Sequence, residues 1–404
     1  MSPHASPAAV AVGRLETQAP KRVLIATANY WSSPIQTGSQ HYARQFARDG
    51  WQVGYLSDQI SPLHLIRWKS RAYTADKFGL WLRGGVRAEG GRIFAYNHLT
   101  LLPVYNAPVL RSGIVARHTL DATVPNVMRR LARNGFADVD LLWLEHLLYA
   151  DLPDRLTARR TVFRLADDPR LFPETYPPAL LRRLDGLLRR VDLVVVTARR
   201  LHEQVTRARG DQGVMYLPNG VDYDHFARAA PRPPEYEAIR APRVVYAGSL
   251  EPWFDVELLE RAAHALPHAS FVVIGPARIP MTAVKRLPNV HVLGPRPYES
   301  LPGYFRHAHA GIIPFRVTPH INAVNPIKLY EYLAAGLPVV VTSWDELERM
   351  RPPAALAHGH ADFVAALDAV LADAGDPEPR RSFARANSWA ERFARVRTAL
   401  RNGA

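Results

Sequence analysis

Short apolar runs, each closed by a small, acidic or hydroxyl residue, recur along this 404-residue chain. They limit its fold more than any other feature. Val23-Leu24-Ile25-Ala26-Thr27-Ala28 leads through a loop to a helix opening at Gly38-Ser39, and then to Gln52-Val53-Gly54-Tyr55-Leu56-Ser57. Runs of this length bounded by turn signals read as strands buried on both faces, and a strand-helix-strand order calls for a parallel sheet. The pattern continues at 92–96, 140–144, 161–166 and 193–197, and a second series follows at 243–247, 270–274, 290–293, 311–315 and 339–342. The fold class is therefore α/β, with two Rossmann-like doubly wound halves and ligand crevices at the carboxyl ends of the strands. A Pro-rich linker at 229–242 separates a first half, 21–228, from a second, 243–385. Residues 1–20 read as a disordered Ala/Pro/Ser-rich tail, and 386–404 as a final helix able to cross back to the first half.

The chain has no cysteine. That rules out disulfides and cysteine-held zinc, and suits a cytoplasmic location. No run of 18 apolar residues is present, so no transmembrane helix is expected. The net charge of +14 is uneven: residues 1–230 hold 31 basic against 20 acidic side chains, and 231–404 hold 20 against 17. A basic first half is expected to face something anionic, such as the inner face of a membrane or a lipid diphosphate. Between residues 60 and 87, Leu63, Trp68, Phe78 and Trp81 are interleaved with Arg67, Lys69, Lys77 and Arg83. Two readings stay open, an interfacial membrane segment and an amphipathic surface packed on its own domain. No RNA-binding signature accompanies these residues, so nucleic acid is not expected as a partner.

The stretch from Asn325-Pro326 through Ile327-Lys328-Leu329-Tyr330-Glu331-Tyr332 to Gly336-Leu337-Pro338 predicts a short helix over 326–335. Asn325 is its N-cap, Pro326 its first residue and Gly336 its stop. Lys328 in the first turn makes the helix start an anion site, and Glu331 lies one turn deeper on the same face. Together they could read a diphosphate and a vicinal diol, or could be a solvated surface pair. The ends of the strands at 140–144 and 161–166 place His146, Asp167 and Asp168 on one rim. Asp168 before Pro169 also suits an N-cap, which leaves Asp167 the freer carboxylate, and His146 also suits a structural role. Asp222-Tyr223-Asp224 matches a metal-binding D-x-D only superficially, because it follows the Asn219-Gly220 turn. No metal site is expected.

Several segments together resemble the GT-B glycosyltransferases: Asn219-Gly220-Val221-Asp222 before the linker, Tyr246-Ala247-Gly248-Ser249 after it, the 325–332 stretch, and Ser388-Trp389-Ala390-Glu391-Arg392. The likeness extends over nearly all of residues 21–400. It is nearest to bacterial exopolysaccharide enzymes such as the xanthan glucuronosyltransferase. The resemblance implies two Rossmann-like domains facing a central cleft, with the donor on the second. It implies that Gly248, Ser249, Asn325, Lys328 and Glu331 contact a nucleotide-sugar donor, and that Gly294, Arg296 and Tyr298 lie against the base. Phe163-Arg164-Leu165-Ala166-Asp167 resembles the strand that ends in a catalytic aspartate, which makes Asp167 the implied base, with Asp168 and His146 as alternates. Asp222 matches a further acidic residue of the cleft.

One departure stands out. Many retaining GT-B enzymes carry two glutamates eight positions apart, and where the first would fall this chain has Ala323. The expectation is therefore an inverting, metal-independent transfer from a nucleotide diphosphate sugar, of UDP type, to a saccharide or lipid-diphosphate-linked saccharide in polysaccharide biosynthesis. No cofactor is expected beyond the donor itself. Retaining transfer on the same fold, an epimerase, and a non-catalytic nucleotide-sugar-binding subunit remain as alternatives. Peripheral attachment to the inner membrane face goes with the lipid-linked acceptor.

Overall fold

The computed structural model describes residues 20–66, 71–172 and 175–401. Residues 1–19 of the expected tail fall outside it, as do Arg67, Trp68 and Lys69. Two sheets carry the architecture. The first holds β1 (Arg22–Ala26), β2 (Gln52–Ile60), β3 (Val86–Ala88), β4 (Ile93–Thr100), β5 (Thr123–Val124), β6 (Asp138–Leu144), β7 (Thr157–Leu165), β8 (Leu193–Val196) and β9 (Val214–Tyr216). Their order is β3-β4-β2-β1-β6-β7-β8-β9, with β5 also on β4. Only β3 and β5 run antiparallel to their neighbour. The second sheet holds β10 (Arg243–Ala247), β11 (Ser270–Ile274), β12 (Val290–Gly294), β13 (Ala310–Ile313), β14 (Val339–Thr342) and β15 (Ala355–Ala357), in the order β12-β11-β10-β13-β14-β15. All its pairings are parallel.

Both sheets reverse winding direction once, between β1 and β6 and between β10 and β13. A crevice opens at such a point because the loops after the two strands leave in opposite directions. The loop after β1, the end of β6, the Gly248 turn and the Lys328 helix therefore surround the places where a ligand can enter.

The alternation along β1 shows why both faces of the first sheet need cover. Leu24 and Ala26 point into one buried cluster and Val23 and Ile25 into another. The second cluster is completed by Trp389, Phe393 and Val396 from the helix Trp389–Arg401, so the end of the chain packs on the first half. Arg397 reinforces this through a 2.8 Å ion pair with Asp49. The polypeptide thus crosses between the halves twice, and the crossings run side by side. Val221 N–H donates to Asn387 O at 3.2 Å, and Trp389 N–H to Val221 O at 2.9 Å.

Some elements differ from the sequence reading. The segment read as a linker is packed rather than free. It contains a 3-10 turn, Pro234–Glu237, and Tyr236 is fully buried against the second half. The helix Glu378–Ala386 was not expected. β7 begins at Thr157, earlier than the apolar run, because its polar first turn pairs with Asp138 and Val139 at the edge of β6. Within 60–87, the helix Arg71–Leu82 buries Lys77 and Leu80 against the sheet, which favours the packed amphipathic surface.

Candidate active site

Lys328 lies in the first turn of the helix Ile327–Ala334, which follows β13. Its Nζ is 3.3 Å from the Tyr246 hydroxyl and sits over the rings of Tyr246 and Phe315, 4.8 and 4.7 Å from their centroids. The backbone of Gly248 is pressed against it. At φ +148° Gly248 holds a conformation that side-chain-bearing residues rarely adopt, and a Cβ there would lie 2.8 Å from Lys328 Cε and Nζ. Behind it Gly275 is needed for the same reason, since its Cβ would collide with Gly248 O. Burial lowers the Lys328 ammonium to about 8, with Glu331 pulling it back up. Burial likewise raises Glu331 to about 7, partly offset by Lys328. Both residues are half-buried rather than sealed from solvent. The pair is thus a cation and a carboxylate held short of full solvation at a helix start, an arrangement that an anionic ligand carrying hydroxyls would relieve.

Tyr298 borders the same space. Its ring stacks on His225 at 4.4 Å, and its hydroxyl is buried without a hydrogen-bond partner among the described residues. Burial, then Glu331 and Asp222, push that phenol well above its ordinary range. Asp222 itself precedes the helix Tyr223–Ala227 and is half-buried. Gly294 closes β12, and the segment Pro295–Glu299 faces Ser32–Gln36 and Arg44 of the first half across a cavity of about 500 Å³. Arg296 lines that cavity but is committed elsewhere. Its guanidinium pairs with Glu235 at 2.8 Å and donates to Leu293 O and the Tyr304 hydroxyl. Ser249 lies at the β10 turn, its carbonyl accepting from Tyr246.

Asn325 corrects the sequence reading. The helix starts one residue later, with Pro326 at the N-cap. Asn325 is buried and faces the other half. Its Oδ1 accepts from Asn219 N–H at 2.9 Å and from the Tyr330 hydroxyl at 3.1 Å, and its carbonyl accepts from Asn219 Nδ2 at 2.7 Å. Asn219 in turn accepts from Arg164 at 2.6 Å, and Arg164 pairs with Glu145 at 3.3 Å. A buried chain of polar contacts therefore joins the ends of β6 and β7 to the start of the Lys328 helix.

Asp167 stands just beyond the carboxyl end of β7, where the residue is exposed although protein crowds its carboxyl group. That enclosure raises its carboxyl above the usual range, while His320 and Arg164 pull it down. The two alternates have other work. Asp168 is buried and caps the turn Pro169–Leu171, accepting from Arg170 N–H at 3.0 Å. His146 is buried, its Nδ1 accepts from Leu148 N–H at 3.2 Å, and burial holds its imidazole below the ordinary value. Sequence reasoning missed His320, whose ring meets Phe172 of the first half at 4.4 Å and Trp253 of the second at 5.3 Å. No local signal marks it, because its neighbours are distant in sequence.

Comparison with known proteins agrees with the two-sheet fold. Residues 25–197 match the family described as Glucuronosyltransferase GumK, N-terminal domain, and residues 241–374 match Glycosyl transferases group 1. The chain has the GT-B fold, and each of its halves resembles a glycosyltransferase family. Over 219 residues it is 30% identical to TuaH of Bacillus subtilis, named as a teichuronic acid biosynthesis glycosyltransferase; the match takes in 50% of this chain and 55% of that protein. Solved GT-B structures share the fold across nearly the whole chain. Sucrose-phosphate synthase from Thermosynechococcus elongatus superposes with a TM-score of 0.69 at 14% identity, over 95% of this chain and 98% of its own. HepE of Anabaena, in complex with UDP and glucose, gives 0.63 at 16% identity, over 95% and 100%. An Escherichia coli structure bound with UDP-2-fluoro glucose gives 0.64 at 14%, over 94% and 98%.

Proposed function

We propose that this chain moves a sugar from a nucleotide diphosphate donor, of UDP type, to a hydroxyl of a saccharide acceptor in polysaccharide assembly, with inversion at the transferred carbon. The observation that carries the reading is the Lys328 ammonium seated on the Gly248 backbone at a helix start and a topological switch point. In that place it would take up the charge that develops on the leaving diphosphate. Glu331 would accept from donor hydroxyls. Asp167, from the other half, would remove the acceptor proton, a task suited to a carboxylate held above its ordinary range. The donor class is supported by the UDP ligands of the HepE and Escherichia coli structures. Ala323 lies buried in the first half's core, so no carboxylate occupies the position where many retaining relatives carry one. A metal-independent reaction is part of the proposal. The test is UDP release from a UDP-sugar panel with acceptor, in EDTA, for the natural chain and Asp167→Asn. Donor binding with transfer lost in the variant supports the reading, and a product of retained configuration would overturn the inverting assignment.

A lipid-linked acceptor at an anionic membrane surface is the companion reading. Its motive is the excursion between β4 and β6 with the neighbouring end of the helix Arg71–Leu82. There Leu82, Leu101, Val109, Ile114 and Val124 are exposed beside exposed Arg83, Arg111, Arg117 and Arg129. Exposed apolar side chains interspersed with arginine suit a peripheral contact with acidic lipid. Among the described residues no helix is long and apolar enough to cross a membrane.

A further inference from the structure

We propose that Arg164 is a positioning residue for the transfer step: through Asn219 and Asn325 it fixes the strand that leads to Asp167 against the helix that carries Lys328. The inference rests on the reading of Asp167 as the base and Lys328 as the diphosphate contact. Arg164 is buried and is the last residue but one of β7, shortly before Asp167. Its guanidinium meets several separate parts of the chain. Nη1 pairs at 3.3 Å with Glu145, just beyond β6, and Glu145 is itself held by Trp143 Nε1 at 2.8 Å. Nη2 donates to Asn219 Oδ1 at 2.6 Å. The group also presses on Gly38, the first residue of the helix Gly38–Arg48, where a Cβ would lie 2.6 Å from Nη2 and 2.8 Å from Cζ.

Asn219 passes this seat on to the second half. It stands where the chain first crosses between the halves, and every polar group it has is engaged. Its N–H and Nδ2 donate to Asn325, its Oδ1 accepts from Arg164, and its carbonyl accepts from Arg392 Nε of the final helix at 3.2 Å. Asn325 Oδ1 accepts from the Tyr330 hydroxyl as well, and Tyr330 sits between Lys328 and Glu331 in sequence. One side chain therefore ties the donor helix to the Asn219 turn. Arg164, Asn219 and Asn325 are all buried, so a shift of any one strands donors and acceptors away from water. The separation of Asp167 from Lys328 is thus set by three paired side chains, not by the two chain crossings alone. Transfer is sensitive to that separation, since reacting groups tolerate little displacement.

The test is steady-state transfer on the full chain, with the UDP-sugar and saccharide acceptor that give turnover in the panel above, beside the thermal shift given by UDP. Arg164→Lys keeps the positive charge beside Asp167 but loses the planar fork that reaches two partners. It should lower kcat by about 10- to 100-fold, with the donor KM and the UDP shift held within about twofold. Gly38→Ala should give the same split, because the added methyl displaces the guanidinium while every polar group of the chain of contacts remains. Arg164→Lys combined with Asn325→Ser should lose no more than the worse single variant, as groups acting as one unit do. A role confined to stability would lower the melting temperature and leave kcat per UDP-binding site unchanged, and that result would overturn the proposal. Additive losses, or a raised donor KM, would overturn it too. Should Arg164→Lys not fold, Gly38→Ala and Asn325→Ser decide the matter by the same split. Inactive Asp167→Asn beside fully active Arg164→Lys would remove this inference alone, whereas near-normal turnover in Asp167→Asn would remove the base reading and this inference with it.

Discussion

The carboxylate of Glu346 lies 2.8 Å from the backbone N–H of Arg199, so a side chain of the second half caps a helix of the first. The helix Arg199–Arg209 has no side-chain cap of its own, since Ala198 occupies that place. The other oxygen of Glu346 accepts from the Tyr216 hydroxyl at 2.8 Å, and Arg349 nearby pairs with Glu203. Glu346 is almost fully buried, and burial raises its carboxyl above the ordinary value. Replacement by Ala leaves both donors unsatisfied and is expected to cost about 1–3 kcal/mol, measured by denaturant unfolding. Glu346→Gln should recover most of that loss. Because the folded-state value is raised, the natural protein should lose stability from this group as pH rises from the ordinary glutamate range through the raised value. That slope should be absent in Glu346→Gln.

On the proposed reading, Lys328 should set the pH range of donor binding. UDP affinity, followed by thermal shift, should hold below about 8 and fall as the pH rises through that value, because the ammonium is lost. Lys328→Met should weaken UDP by roughly 10- to 100-fold, as expected for a charged hydrogen bond of about 1.5–3 kcal/mol, and should flatten the alkaline fall.

Gly248→Ala is expected to act through two routes. Its φ of +148° disfavours any side chain, and the added methyl meets Lys328 Cε and Nζ at 2.8 Å. The lysine must move off its seat on Tyr246. UDP binding should weaken at least as far as in Lys328→Met, while circular dichroism stays native. Undiminished binding would mean that the Lys328 seat is not the diphosphate site.

Asp167→Asn should retain the thermal shift given by UDP and lose transfer by about 10²- to 10⁴-fold, the usual contribution of a general base. Removing the carboxylate charge should also raise stability slightly near neutral pH, since enclosure disfavours the ionised form. A rate loss accompanied by lost UDP binding would point to a donor-side role instead.

Paired substitutions Val109→Asp and Ile114→Asp test the membrane contact. Both side chains are exposed, 76% and 65%, so the fold should tolerate them. Sedimentation with anionic vesicles at low salt should fall several-fold, with UDP binding unchanged. Equal sedimentation would remove the proposed surface.

Most strands of the two sheets were legible because each holds a continuous apolar run between turn residues, a signal contained within the segment itself, whereas β3, β5, β9 and β15, of two or three residues, are too short to carry it. Lys328 and Glu331 were legible for the same reason, being one helical turn apart. Asn325 was misread because its local chemistry suits a cap. Its partner Asn219 lies far away in sequence, and that contact decides its role. Arg164 and His320 fell to the same cause, since nothing local distinguishes an arginine inside a strand from one on a surface. The helix Glu378–Ala386 escaped because its arginine-rich sequence offers little apolar periodicity, with Ala384 its one deeply buried residue among those described.

Trp389, Phe393 and Val396 fill the first half's core from the far end of the chain. During synthesis the ribosome delivers β1 to β9 long before these side chains emerge. The face of the first sheet that carries Val23 and Ile25 is then covered only in part, by Tyr42, Ala43, Phe46 and Ala47 of the helix Gly38–Arg48, until Trp389, Phe393 and Val396 arrive. Folding order is thereby inverted relative to chain order: the second half can complete its core first, and the half made first is finished last.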